Sequence, residues 1–169
     1  CLPGPPFFLG RTVFLFPPPP SPRRFALGGP HPRRPRLADT LALRMATKQA
    51  HWNVKGPNFI ALHEMFDQMH TRISGYVDEI AERAVTLGGV VDGTAAAANN
   101  SKLDPYPPAI TAQEEHLKAL ADRIAAYGKL AREAIDSADE AGDKDTADLF
   151  TAISRQMDMD LWFLEAHLQ

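Results

Sequence analysis

The chain of 169 residues holds a single cysteine, Cys1, so no disulfide can close within it. Its fold must therefore rest on a packed core, and a lone thiol fits a reducing compartment such as the cytoplasm. No apolar run approaches the roughly 18 residues of a membrane-spanning helix, so no membrane partner is expected. The apolar stretch from Phe7 to Phe16 is interrupted by Gly10 and Arg11. It lacks both the leading positive charge and the small-residue cleavage site of a secretory signal. Alternating strand patterns and internal repeats are also missing, which argues against a sheet protein or a solenoid.

Acid is absent from residues 1–36, which carry six arginines (Arg11, Arg23, Arg24, Arg33, Arg34 and Arg36) and eleven of the fifteen prolines. Proline fixes φ and removes a backbone donor, so this arm is expected to be extended and without a packed core. Its composition is also that of an out-of-frame translation of GC-rich DNA. The remaining residues carry 12 basic and 21 acidic side chains, a balance of −9. An acidic body favours cations and repels nucleic acid unless the arm compensates.

From residue 37 to 169 the pattern is helical throughout. Leu37–Asn53 reads as a first helix with Leu41 and Met45 on its apolar side, ended by Gly56–Pro57. Asn58 stands at the N-cap of a second helix that runs to about Leu87, where Gly88–Gly89 stop it. Residues 90–110 form a long connection, with a short helix expected over Thr94–Asn99. Thr111 and Glu114 have capping-box spacing and open a third helix with the stripe Leu117, Leu120, Ile124, Tyr127, Ala131 and Ile135. Ala141–Gly142 close it. The last helix starts near Asp145 and carries Leu149, Ile153, Met157, Leu161, Leu164 and Leu168. The expected architecture is all-α: a four-helix bundle with one long crossover connection.

Five polar residues stand out against this pattern: His51 at the end of the first helix, and His63, Asp67, Asp78 and Glu82 on the second. The last four form two i,i+4 pairs, which face one way. With His63 at zero, Asp67 lies near ~40°, Asp78 near ~60° and Glu82 near ~100° around the helix axis. That face is expected to be the buried one, and buried carboxylates need partners or a metal. Imidazole with carboxylate suits Fe(II), Zn(II) or Mn(II). The alternative is a solvated face of salt-bridged acids.

Asp67 and Asp78 are eleven residues apart, about 16 Å along the axis, which one ion cannot span. Either each pair binds alone, or a second subunit joins them. The spacing favours the second arrangement, because positions 63 and 82 share a midpoint with positions 67 and 78, between Arg72 and Ile73. Two copies of the helix crossing antiparallel about a two-fold axis there would face His63 with the partner subunit's Glu82. Asp67 would likewise face the partner subunit's Asp78, the reciprocity of a self-complementary contact. Ser74 and Gly75 are small enough to allow the approach.

The segments around these residues resemble a known family. Lys48-Gln49-Ala50-His51-Trp52-Asn53-Val54-Lys55-Gly56-Pro57, Phe59 to Asp67, Asp78-Glu79-Ile80-Ala81-Glu82-Arg83 and Asp160 to His167 are similar to motifs of the Dps proteins. The resemblance covers about residues 37–169. It implies a ferritin-like four-helix bundle assembled into a dodecameric homo-oligomeric shell that stores iron. It implies ferroxidase centres at a dimer interface, taking His51, His63 and Asp67 from one subunit and Asp78 and Glu82 from its neighbour. Fe(II) is then the ion oxidised to Fe(III), commonly by hydrogen peroxide, in the cytoplasm or at the nucleoid.

Trp52, beside His51, is either a quencher of one-electron oxidants or a packing residue. Lys48 reads as a solvated lysine, with a pairing to Asp67 as the alternative. His70 reads as a bland position near the site, while His116 and His167 read as packing or surface residues. Asp136, Asp139, Glu140, Asp143, Asp145 and Asp148 either line a pore for iron or form a helix-end charge cluster. Pro30, Pro32 and Pro35 are expected to shorten the first helix relative to the family. The second functional class is non-specific DNA compaction through the arginines of the arm. In a salt-titrated gel shift, DNA binding by the arm predicts retardation at low salt that fades as salt rises, and no shift at low salt excludes it.

Overall fold

The computed structural model describes residues 33–169, with side chains from Arg36 onward. Residues 1–32, which hold most of the arm expected to be extended and to bind DNA, lie outside the described residues, while residues 33–36 belong to the first helix. Four long helices make up the architecture: α1 Arg33–Asn53, α2 Phe59–Thr86, α3 Gln113–Glu140 and α4 Lys144–Ala166. A 3-10 helix, Ala95–Asn100, sits in the crossover between α2 and α3, close to the position expected for it. Among the described residues there is no strand, and one isolated bridge joins Lys55 and Ala112.

The first helix begins four residues before the expected Leu37, with Pro35 in its first turn. Proline is tolerated there because the first four N–H groups of a helix have no intrahelical acceptor. The shortening inferred from the prolines is thus smaller than expected, and Arg36 belongs to the bundle, buried at 6% exposure.

The hairpins α1–α2 and α3–α4 are the two closely packed pairs, and α1 also packs on α3 and on the 3-10 helix. Leu62, Phe66, Met69, Ile73 and Ile80 of α2 meet Leu41 and Leu43 of α1, Leu120, Ile124 and Tyr127 of α3, and Ile153 and Met157 of α4 in one core. The stripes expected on α3 and α4 are the buried ones, with Ile135, Leu149 and Leu161 at their margins, except that Leu168 lies beyond the end of α4 and is exposed. Met45 departs from expectation: it is half exposed, and Leu43 takes the core position on that helix.

Both long hairpin helices end at glycine. At the end of α2 the N–H groups of Gly88 and Gly89 bond the carbonyls of Val85 (2.8 Å) and Ala84 (2.9 Å). At the end of α3 those of Gly142 and Asp143 bond Asp139 (2.9 Å) and Ala138 (2.8 Å). Gly88 and Gly142 have φ of +88° and +72°, and this six-to-one, five-to-two pattern is the Schellman cap. The starts are less regular. The capping box of Thr111 and Glu114 does not form, and Ala112 is the N-cap of α3. The main chain of Thr111 is engaged elsewhere: its carbonyl accepts from Lys55 N–H (2.8 Å), and Gln113 N–H donates to the Lys55 carbonyl (3.0 Å). Asn58 holds the N-cap position of α2 without a side-chain cap bond. The cap of α4 is Asp143, whose carboxylate accepts from Thr146 N–H (3.1 Å).

Asp39 anchors the crossover. Fully buried on α1, it accepts from Lys102 N–H (2.6 Å) and Ser101 Oγ (3.0 Å) with one oxygen, and from Arg36 Nη1 (3.2 Å) with the other. Arg36 continues to Glu133 of α3 at 3.2 Å. Removing one member of a buried charged network strands the others. Asp39→Ala is therefore expected to cost about 3 kcal/mol, read as a lower denaturation midpoint by circular dichroism.

Candidate metal centre

The α1–α2 turn brings the end of one helix against the start of the next, and two histidines lock it. Nδ1 of His51 donates to the carbonyl of His63, and Nδ1 of His63 donates to the carbonyl of His51, both at 2.8 Å. The rings stack with centroids 3.7 Å apart and 25° between planes. A carbonyl oxygen can only accept, so each ring carries its proton on Nδ1 and keeps a lone pair on Nε2. Fixing the tautomer in this way is how outer hydrogen bonds orient imidazole ligands. Phe59, one turn before His63 on α2, flanks its ring at 5.2 Å.

Asp67 lies one turn further along α2, 4.0 Å from His51 Nδ1. Its carboxylate is held by Lys48, with which it forms a close ion pair. The expected solvated lysine is thereby corrected: Lys48 reaches across from α1 to Asp67 of α2. The Lys48 hydrogen bond, with the charge of Lys48, holds the Asp67 carboxyl below the usual aspartate range against the opposing effect of desolvation. A depressed pKa means that the pair is intact above the ordinary aspartate range and is lost as pH falls through the lowered value. At neutral pH the site therefore offers one carboxylate, already matched to a cation.

Asp78 and Glu82 share the face of α2 that carries His63 and Asp67, but both are exposed. The core stripe of α2 lies elsewhere: Leu62, Phe66, Met69, Ile73 and Ile80 centre near about −90° on the scale that puts His63 at zero. The expectation that the acidic face is the buried one is thus corrected for the single chain, because the bundle buries the opposite side. The chain unites His51, His63 and Asp67 and leaves Asp78 and Glu82 two to three turns away. Among the described residues of one chain, no three His, Cys, Asp or Glu side chains converge to hold a metal ion by themselves.

Trp52 is 67% exposed, so within the chain it is not a packing residue. His70 is half buried, and its Nδ1 donates to the Arg44 carbonyl (3.1 Å). His116 is a buried packing residue and His167 a surface one. Of the six acids considered for a pore, Asp143 is the buried α4 cap and receives Arg83 at 2.7 Å. Asp145 also meets Arg83 (3.4 Å), and Asp139 pairs with Lys144 (2.7 Å). Helix-end pairing accounts for these three, while Asp136, Glu140 and Asp148 are exposed. Sequence reasoning did not find the reciprocal histidine bonds or the Tyr106–His116 contact described below. The only local hint of the former was the break at Gly56–Pro57, which makes a tight hairpin.

A ferritin-like domain model matches residues 35–169. The chain is 50% identical over 134 residues to the DNA protection during starvation protein of Agrobacterium fabrum, covering 79% of this chain and 83% of the relative. It is 36% identical over 135 residues to the protein of that name from Brevibacillus brevis, covering 79% and 90%. Among solved structures, a Dps protein from Bacillus brevis superposes with a TM-score of 0.77 at 32% identity, covering 82% of this chain and 93% of that one. Dps from Microbacterium arborescens in its high iron form gives 0.77 at 35% identity, covering 88% and 97%.

Lys48 and an incoming cation compete for one carboxylate. Lys48→Met is expected to tighten binding of Zn(II), a redox-silent probe, by a few-fold in isothermal titration calorimetry. Unchanged affinity would show that the lysine does not guard the site.

Proposed function

Since this chain belongs to the Dps family of ferritin-like proteins, we propose that it binds Fe(II) and oxidises it at sites completed between two copies. The observation that carries this reading is the His51–His63 lock, which fixes both imidazoles at the hairpin, with His51 Nδ1 4.0 Å from the Asp67 carboxylate. Asp78 and Glu82 stand on the same α2 face, at positions that two-fold symmetry pairs with Asp67 and His63. In this reading each copy supplies His51, His63 and Asp67 to one site and Asp78 and Glu82 to the other.

Gly75 supports the approach of two α2 helices. A glycine within a helix costs about 1 kcal/mol relative to alanine, yet a Cβ at Gly75 would meet nothing within 4 Å in the chain. Nothing in the chain itself calls for that glycine, whereas a second helix crossing near residues 72–75 would. An acidic face meeting its own copy would repel unless cations bridge it, so assembly and metal binding favour one another.

The chemistry follows from the sparse ligand set. Few protein donors leave coordination positions open for an oxidant. Two Fe(II) ions each surrender one electron to hydrogen peroxide, which leaves as two waters after taking up two protons, and the resulting Fe(III) is stored within a closed, dodecameric shell. Consuming iron and peroxide together would protect DNA in the cytoplasm. The Fe(II) is substrate and cargo, so Lys48 serves as the placeholder that holds Asp67 ionised between turnovers.

Two sets of variants test the shared site. His63→Ala with Asp67→Ala is expected to lower the rate of ferric absorbance growth at least ~10-fold above the protein-free background, as loss of metal-site residues does. Asp78→Ala with Glu82→Ala should do the same. Co-refolding the two inactive double variants restores intact sites in mixed dimers, so part of the activity returns. Full activity in either double variant overturns the residue assignment, and no recovery on mixing overturns the two-chain arrangement.

A further inference from the structure

The chain has three tyrosines, and their hydroxyl partners differ in kind. Tyr127 is fully buried, and its hydroxyl meets Thr40 Oγ1 (2.6 Å), which is no base. Tyr76 is half buried at the margin of the core. Tyr106, in the crossover, has its hydroxyl 2.6 Å from Nδ1 of His116. Burial pushes the Tyr106 phenol well above its ordinary pKa and pushes the His116 imidazole below its own. Both groups are therefore neutral, and with the imidazole proton on Nε2, toward the main chain of Asn53 and Ile110, the Tyr106 hydroxyl donates to the Nδ1 lone pair. Arg123 packs its guanidinium 4.9 Å from the Tyr106 ring centroid and is itself held by the carbonyls of Ala119 (2.7 Å) and Pro105.

The position of the pair matters as much as its bond. A groove of about 940 Å³ runs between α1 and the crossover, and Met45, Lys48, Trp52, His70, Tyr106 and Arg123 all line it. Lys48 is the ion-pair partner of Asp67, and Trp52 adjoins His51 in the chain. The groove is thus lined by these two neighbours of the half-site, though not by His51, His63 or Asp67 themselves, and has Tyr106 in its wall. On the far side of that wall, His116 lies against the backbone of Asn53, two residues beyond His51.

We propose that Tyr106, hydrogen-bonded to His116, is a one-electron donor that removes oxidising radicals released in the groove beside the His51, His63 and Asp67 half-site. For the source of the oxidant this rests on the iron reading above. When Fe(II) reduces hydrogen peroxide by a single electron, the products are Fe(III), hydroxide and a hydroxyl radical. Tyr106 gives that radical one electron and passes its phenol proton to His116 Nδ1, which leaves hydroxide, a neutral tyrosyl radical and an imidazolium. A second Fe(II) then reduces the tyrosyl radical, and His116 returns the proton. The cycle ends with two Fe(III) and two hydroxides from one peroxide, with no radical set free. The reluctance of a buried imidazole to take a proton and the cation over the ring both raise the oxidising power required, so the pair responds to strong oxidants and ignores weak ones. Tyr127 lacks a base for its proton.

The test separates this donor from the iron chemistry. The assembled protein without iron is oxidised by flash photolysis of a ruthenium tris-bipyridine complex with persulfate, and the radical is read by electron paramagnetic resonance and transient absorbance. The expected result is a tyrosyl signal that is lost in Tyr106→Phe, kept in Tyr76→Phe, Tyr127→Phe and Trp52→Phe, slowed in deuterium oxide and reduced several-fold in His116→Gln. Mass spectrometry of the oxidised parent, which needs no variant to fold, should place the tyrosine products at Tyr106. A signal that survives Tyr106→Phe, or products confined to Tyr76 and Tyr127, overturns the proposal. Repeating the measurement with Fe(II) and hydrogen peroxide should give the same radical. Normal iron oxidation without a Tyr106 radical would overturn the link to the half-site, whereas a failure of iron oxidation would count against the iron reading and leave the photochemical result standing.

Discussion

Two imidazole rings, each donating its Nδ1–H to the other residue's main-chain carbonyl, hold the rest of the site in place. That cross-bond closes the α1–α2 hairpin from within. It sets the tautomer of both rings, and the α2 backbone places Asp67 one helical turn from His63. A ligand whose orientation is fixed before metal arrives loses little conformational freedom on binding, the general advantage of preorganisation.

The electrostatics of α2 divide between what one chain can balance and what it cannot. Asp67 is balanced by Lys48, and Asp160, fully buried on α4, is met by Arg72 at 2.6 Å. Burial raises the Asp160 carboxyl pKa while Arg72 and Gln156 hold it down. Arg83 is occupied by Asp143 and Asp145. Asp78 and Glu82 remain exposed on the face that carries His63. The core is therefore built on one side of α2, and the opposite side keeps an exposed acidic surface.

The crossover connects these two parts. Asp39 secures its first half to α1, the Lys55 bridge secures its end to the hairpin turn, and the segment between them places Tyr106 against His116 and in the wall of the groove. The Thr111–Glu114 spacing read as a helix cap, but the Thr111 main chain is engaged by Lys55 instead, because pairing with the hairpin satisfies more backbone groups than a side-chain cap would. Gly56 stands beside the same bridge at φ of +149°, a backbone conformation that L side chains rarely adopt, and an added Cβ would lie 2.6 Å from Gln113 Oε1 unless that side chain moved.

What the amino-acid order determined alone was whatever depends on neighbours within a few turns. The helix pattern, the glycine stops after α2 and α3, the core stripes of α3 and α4, and the common face of His63, Asp67, Asp78 and Glu82 all follow from 3.6-residue periodicity and local backbone chemistry. Tertiary structure alone decided which side of α2 is buried, that Lys48 reaches an aspartate 19 positions away, that Met45 yields its core place to Leu43, and that a tyrosine of the crossover meets a histidine of α3. The physical reason is range. Periodicity places a side chain on its own helix, but a salt bridge, a tautomer or a proton acceptor depends on what a different segment brings within about 3 Å, and that is set only when the helices pack.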